Sequence, residues 1–231
     1  MCTKFENRVL RESAIIKASH RFAKSLAFGT RFFNAPWSSE IQPLFKSIIS
    51  WYQQLVSYYE SRDIFTVDPM SVENDCLLYL SHRLLSLPYQ CSITSFEETI
   101  RLSIFVYSCI RIWSIYGTPC LESQVEMLRE SLSKNYFVLQ STASDLLFWI
   151  LFTGSLASKG MGCNSWFLTC LVDIRGQLSL EWDSAVSMLE EFFFVCRPQD
   201  EPAKELWISA FQGRNPTTLN VIPAGENTYG N

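Results

Sequence analysis

Histidine and cysteine are the side chains best suited to nucleophilic or metal chemistry near neutral pH. The chain has two histidines, His20 and His82, and eight cysteines. Two histidines are too few for a histidine-rich metal site. His82 follows Cys76 by six residues, which places the two on different sides of a helix, so a Cys–His nucleophilic pair has no local support. The cysteines stand at 2, 76, 91, 109, 120, 163, 170 and 196. Cys163 and Cys170 are the closest pair, so the Cys-x2-Cys spacing of zinc and redox sites is missing. Cys76, Cys109 and Cys196 lie inside apolar runs, where a thiol acts as a small hydrophobe. Reduced, mostly buried thiols are expected, with no disulfide framework.

Carboxylates group at Glu97-Glu98, at Glu190-Glu191 and at Glu73 with Asp75. None offers two aspartates at helical spacing on one cavity wall, the arrangement that would hold magnesium. Glu97 and Glu98 suit a helix N-terminus, where the macrodipole favours negative charge, and Glu97 is spaced to pair with Arg101. The chain contains no GxGxxG, GxxxxGK[ST], HExxH or GxSxG string. No catalytic, cofactor-binding or metal residue is therefore assigned, no cofactor is expected, and the chain reads as a non-enzyme. An enzyme or ligand-binding protein would instead need a cavity assembled from scattered groups such as His82, Glu97, Arg101 and Arg111.

The elements that would position these residues are helical. Ile41, Leu44, Phe45, Ile48, Ile49, Tyr52, Leu55, Val56 and Tyr59 keep three-four spacing, after start signals at Pro36 and Ser38-Ser39-Glu40. A second helix is predicted over 72–87, with Leu77, Leu78, Leu80, Leu84 and Leu85 apolar and Pro88 ending it. Thr94 and Glu97 have capping-box form, opening a helix that is apolar on nearly every face, runs through Tyr116 and ends at Gly117. Such a helix belongs at the centre of a bundle. Further helices are predicted around Leu121–Leu132, over 145–157, over 165–174 and over 183–196. Residues 159–162 form a loop. A last segment is capped by Asp200, with Pro202 in its first turn and Gly213 beyond its end. No stretch alternates in the manner of a strand. The expectation is an all-α protein: one multi-helix, bundle-like domain over 1–212 and a flexible C-terminal tail over 213–231.

Composition agrees with a large core. Hydrophobic residues make up 48% of the 231 and charged residues only 18%, which excludes a disordered chain. The apolar run from Leu102 is broken by Ser103, Ser108 and Arg111, and that from Leu146 stops at Ala157, so neither reaches the roughly 20 residues a bilayer requires. The opening residues carry charge where a signal peptide has its apolar stretch, so a soluble, intracellular, non-secreted protein is expected. Charge is uneven: residues 1–34 hold seven basic side chains against Glu6 and Glu12, and the remainder is acidic. Lys17, Arg21 and Lys24 share one helical face with Ile15, Phe22 and Leu26 opposite, the pattern of a solvated amphipathic helix.

Three stretches in order resemble one family. Phe96-Glu97-Glu98-Thr99-Ile100-Arg101-Leu102-Ser103 resembles the EEALRLA element of the fungal-specific transcription factors of the binuclear zinc-cluster class. Residues 147–158, LFWILFTGSLAS, are similar to their LLWxLFxGGxAS element, and Trp166-Phe167 to the WF that follows. Trp182 through Leu189, Phe192-Phe193 and Leu206-Trp207 resemble the closing aromatic pattern. The likeness spans residues 94–211. Within it Gly154 is expected to admit a neighbouring backbone. Trp149, Trp166, Trp182 and Trp207 are expected as core anchors, with a ligand pocket among them as the sharper alternative.

The resemblance implies a helical regulatory domain that modulates transcription through protein contacts, in some members with a small-molecule effector. In this family DNA binding belongs to a separate six-cysteine cluster holding two zinc ions, and this sequence has no such cluster and no following heptads. Direct DNA binding by this chain alone is therefore not expected. The resemblance implies a nuclear transcriptional regulator, cytoplasmic otherwise, controlling a fungal specialised-metabolite gene cluster. Its partners would be proteins: a DNA-binding zinc-cluster factor or a second copy of the chain. A truncated gene product, a paralogue acting through a DNA-binding partner and a competitor for such a partner are three forms of this reading. The alternative is a helical small-molecule-binding protein or enzyme of the same pathway.

Overall fold

The computed structural model describes residues 29–35, 41–60, 72–113, 115–194 and 201–211. They form a short 3-10 helix (Thr30–Asn34) and eight α-helices: α1 (Gln42–Glu60), α2 (Val72–Gln90), α3 (Ser95–Arg111), α4 (Pro119–Thr142), α5 (Ser144–Ala157), α6 (Asn164–Leu178), α7 (Trp182–Glu190) and α8 (Glu201–Phe211). No strand occurs among the described residues, so the protein is all-α as its periodicity predicts. The basic helix expected over 17–26, the tail 213–231 and the caps expected at Asp200 and Gly213 lie outside the described residues.

α5 is the axis of the packing and touches α3, α4, α6, α7 and α8. Its residues 146–155 are all buried, so no face is left for water. A helix that is apolar all round is stable only when neighbours cover every side. α3 is nearly as enclosed and packs on both α4 and α5, while α1 pairs with α2. At the α3–α4 contact the polar groups satisfy one another. The Thr99 and Ser131 hydroxyls lie 2.8 Å apart, and Asn135 Nδ2 donates to Ser95 Oγ at 2.7 Å. Buried polar groups matched in this way fix helix register, because a slip would leave them without partners.

The capping box forms as expected: Thr94 N–H donates to Glu97 Oε2 at 2.8 Å, and Glu97 N–H to Thr94 Oγ1 at 3.2 Å. That use turns Glu97 away from Arg101, whose Nε and Nη2 instead donate to Glu98, each at 2.6 Å. The expected Glu97–Arg101 pair is thus replaced by a bidentate pair one residue closer.

Several boundaries differ from expectation. α2 runs through Pro88 to Gln90, because a proline in the last turn removes only one backbone bond and its ring faces solvent. α3 stops at Arg111, short of Tyr116 and Gly117. The Ser108 carbonyl there accepts both Ile112 N–H and Trp113 N–H, which breaks the helical succession. Thr118 and Pro119 then start α4 with a side-chain cap on Leu121 N–H. α6 continues four residues past the expected Ile174, to Leu178.

The largest departure is at α7, which ends at Glu190 instead of extending to 196. Phe192, Phe193 and Phe194 are all buried in irregular chain. The main-chain carbonyls so exposed are taken by the segment at 29–35: Gly29 N–H donates to Phe192 O at 2.8 Å and Arg31 N–H to Glu191 O at 3.3 Å. The Arg31 guanidinium also pairs with Asp145 and Glu191, tying this segment to the start of α5. Gly29 adopts φ +68°, and a Cβ on it would lie 2.7 Å from the Phe193 ring.

Candidate functional site

The residues whose convergence would favour an enzyme do not converge. Glu97 and Arg111 stand at opposite ends of α3, 14 residues or about 21 Å apart along a helix. Arg101 is buried between them and committed to Glu98, and His82 projects from the exposed face of α2. The Arg111 guanidinium lies over the Phe194 ring at 4.9 Å. Among the described residues no group of three or more His, Cys, Asp or Glu could hold a metal ion.

The four tryptophans separate into three places and share no pocket. Trp149 is fully buried, edge-on to Phe32 at 5.1 Å and tilted against Phe192 at 5.9 Å. Its indole N–H donates to Phe193 O at 3.4 Å. Trp182 and Trp207 meet at 5.3 Å beside α8, where Arg175 lies over the Phe211 ring. Trp166 stands apart, half-buried and edge-on to Phe167 at 5.1 Å. Trp149 and Trp207 are core anchors, as expected, whereas Trp182 is half-buried at the edge of the core. Trp166 lines a cleft.

That cleft, of about 640 Å³, lies between α4 and the turn joining α5 to α6. Glu122, Glu126 and Arg129 form one wall and Met161, Cys163 and Trp166 the other. The three α4 residues fall on one face because they are spaced four and three apart. Arg129 Nε donates to Glu126 at 2.7 Å, and this hydrogen bond holds the Glu126 carboxyl below the usual range. Burial, and then the charge of Glu126, push the Cys163 thiol up, so it stays protonated near neutral pH. Such a thiol is a weak nucleophile. The spacing of Glu122, Glu126 and Arg129 is legible in the sequence, but that the 159–163 turn folds over them is not. A smaller hollow of about 230 Å³ lies beside Arg31, Asp145 and Leu146.

The thiols differ from the mostly buried set expected. Among the described ones Cys109 is buried, Cys120 is exposed, and Cys91, Cys163 and Cys170 are intermediate. Burial pushes Cys109 and Cys170 up to about 12. Near neutral pH a maleimide is expected to label Cys120 rapidly and Cys109 only after denaturation, as read by peptide mass spectrometry. The sign of the linkage follows. With folded values raised above the ordinary 9.0, the stabilisation these two thiols contribute is complete below pH 9 and is lost as pH rises toward about 12. Equal labelling of Cys109 and Cys120 in the native protein would contradict the packing of α3.

A second surface feature lies on α2. Leu77, Leu80, Leu84 and Leu87 are buried, whereas Leu78 is 53%, Leu85 39% and Tyr89 91% exposed. Leu78 and Leu85 thus join His82 and Tyr89 in an outward stripe at four-three-four spacing. Among the described residues no helix is long and apolar enough to cross a membrane.

No protein-family model matches the chain, and neither a curated protein nor a solved structure shows significant similarity to it.

Proposed function

We propose that the chain is a helical regulatory module of the kind found in fungal-specific transcription factors, acting through protein partners and without a zinc cluster of its own. One observation carries the reading. The separate strings that resemble the family are packed on or around a single helix. Phe152 meets Phe194 at 5.4 Å, Trp149 meets Phe192, and a Cβ at Gly154 would lie 2.3 Å from the Phe167 ring. Residues distant in sequence that form one core are those whose order and spacing a shared fold would preserve. The exposed α2 stripe supports action through a partner. Its spacing matches one side of a two-helix seam, and the occupant in this reading is an apolar-striped helix of a protein partner. The reading places the protein in the nucleus, in control of a specialised-metabolite gene cluster.

The test joins residues 1–231 to a heterologous DNA-binding domain in a fungal host and measures a reporter. A several-fold change in transcription is expected, and the double variant Leu85→Glu/Tyr89→Glu is expected to abolish it while leaving the thermal midpoint in place, since neither side chain is in the core. A silent reporter at equal expression would overturn the regulatory reading. A specific mobility shift by the unfused chain at physiological salt would overturn the claim that it does not read DNA alone.

The second reading, a small-molecule-binding protein of the same pathway, is favoured by the cleft at Trp166, whose volume falls in the range of ligand sites.

A further inference from the structure

We propose that the cleft between α4 and the 159–163 turn binds an organic cation, an alkylammonium or guanidinium group carried by a small amine or by a basic peptide side chain. The inference stands apart from the transcriptional reading and rests on the charge and shape of this one site. Its walls carry two carboxylates, Glu122 and Glu126, and one guanidinium, Arg129. Arg129 is already engaged, since its Nε and Nη2 both donate to the same Glu126 oxygen. Its charge is therefore matched within the wall, and the negative charge left over is that of Glu122, one helical turn from Glu126 and exposed. A carboxylate facing a concavity attracts a cation and repels an anion.

Trp166 supplies the second half of the recognition. The indole packs against the buried Phe167 ring at an interplanar angle of 85°, and Trp166 also lines the cleft. A cation beside the indole is attracted by the ring quadrupole, and the Glu122 carboxylate adds an ion pair. Gly160 and Gly162 stand at the mouth, and a Cβ at either would meet nothing within 4 Å. Neutral apolar ligands fit less well, because Glu122, Glu126 and Arg129 would lose hydration with no compensating partner.

The experiment uses the full chain with 15N-labelled tryptophan, the Trp166 indole resonance being assigned by Trp166→Phe. Agmatine and the peptide acetyl-Ala-Arg-Ala-amide are titrated separately. A saturable shift of the Trp166 indole in the millimolar range is expected, with the buried Trp149 resonance unmoved. Glu122→Gln is expected to weaken binding about fivefold, while Asp183→Asn, an exposed carboxylate on α7, leaves it unchanged. Unaltered positions of the other indole resonances show that Glu122→Gln remains folded. Tighter binding of the peptide identifies a protein side chain as the source of the cation, and tighter binding of agmatine a free amine. The proposal is overturned if neither probe gives a saturable shift, or if Glu122→Gln binds as tightly as the parent.

Discussion

Trp149→Ala is expected to lower folding stability by about 3–5 kcal/mol, the range for removing a large buried aromatic side chain. Few positions in the chain carry so much. The indole is fully buried at the centre of α5, and its neighbours come from three separate elements: Phe32 from the 3-10 helix, Tyr107 from α3, and Phe192 and Phe193 from the irregular chain after α7. Collapse into the vacated space would require all of them to move together. The substitution also leaves Phe193 O without the indole donor, a loss on the order of 1 kcal/mol. Since domains of this kind are stable by about 5–15 kcal/mol in total, the variant is expected to sit near the edge of folding. Urea denaturation followed by circular dichroism measures the effect. Trp149→Phe, which retains a ring but not the N–H, is expected to lose less than half as much. A loss below about 1 kcal/mol for Trp149→Ala would mean that these rings do not form one cage.

The same cage shows where sequence reasoning reaches and where it stops. Three-four periodicity locates the helices because burial along a helix follows a local rule, and Ile41, Phe45, Ile48, Ile49 and Tyr52 are all buried as their spacing requires. Capping chemistry at Thr94 and Glu97 is equally local and equally legible. The end of α7 is not, because it is decided by contacts across the chain. Glu191-Phe192-Phe193-Phe194 looks like the continuation of a helix until Gly29 and Arg31 arrive to accept it. For the same reason Leu78 and Leu85 cannot be told from Leu77 and Leu84 by hydrophobicity. Two adjacent apolar stripes on α2 are equivalent until α1 and α3 cover one of them. The cleft is half legible: Glu122, Glu126 and Arg129 announce a shared face, while its opposite wall depends on how the glycine turn after α5 folds back. The separation of Glu97 and Arg111 is legible as well, because both fall on the one helix that opens at Thr94, 14 residues or about 21 Å apart.

Gly154→Ala gives a prediction whose sign depends on tertiary contact. Helix propensity alone favours alanine over glycine inside a helix by about 1 kcal/mol, so a reading confined to α5 expects stabilisation. The structure places the Phe167 ring where the new methyl would go, with Cε1 at 2.3 Å and Cδ1 at 2.5 Å from the added Cβ. It is thus a ring of α6, not a neighbouring backbone, that the glycine admits. Phe167 is fully buried and braced by Trp166, so it cannot swing into solvent. Overpacking of this kind costs about 1–3 kcal/mol, and α5 and α6 share one of the most extensive helix contacts in the molecule. The clash is expected to outweigh the propensity gain, leaving Gly154→Ala less stable than the parent by about 1–2 kcal/mol, and Gly154→Val less stable still. Shortening the opposing ring tests the cause. In the background of Phe167→Leu the alanine methyl has room, its propensity gain reappears, and the double-mutant cycle should show favourable coupling of at least about 1 kcal/mol. A stabilised Gly154→Ala single variant, or additive effects in the cycle, would show that α6 does not seat Phe167 on this glycine.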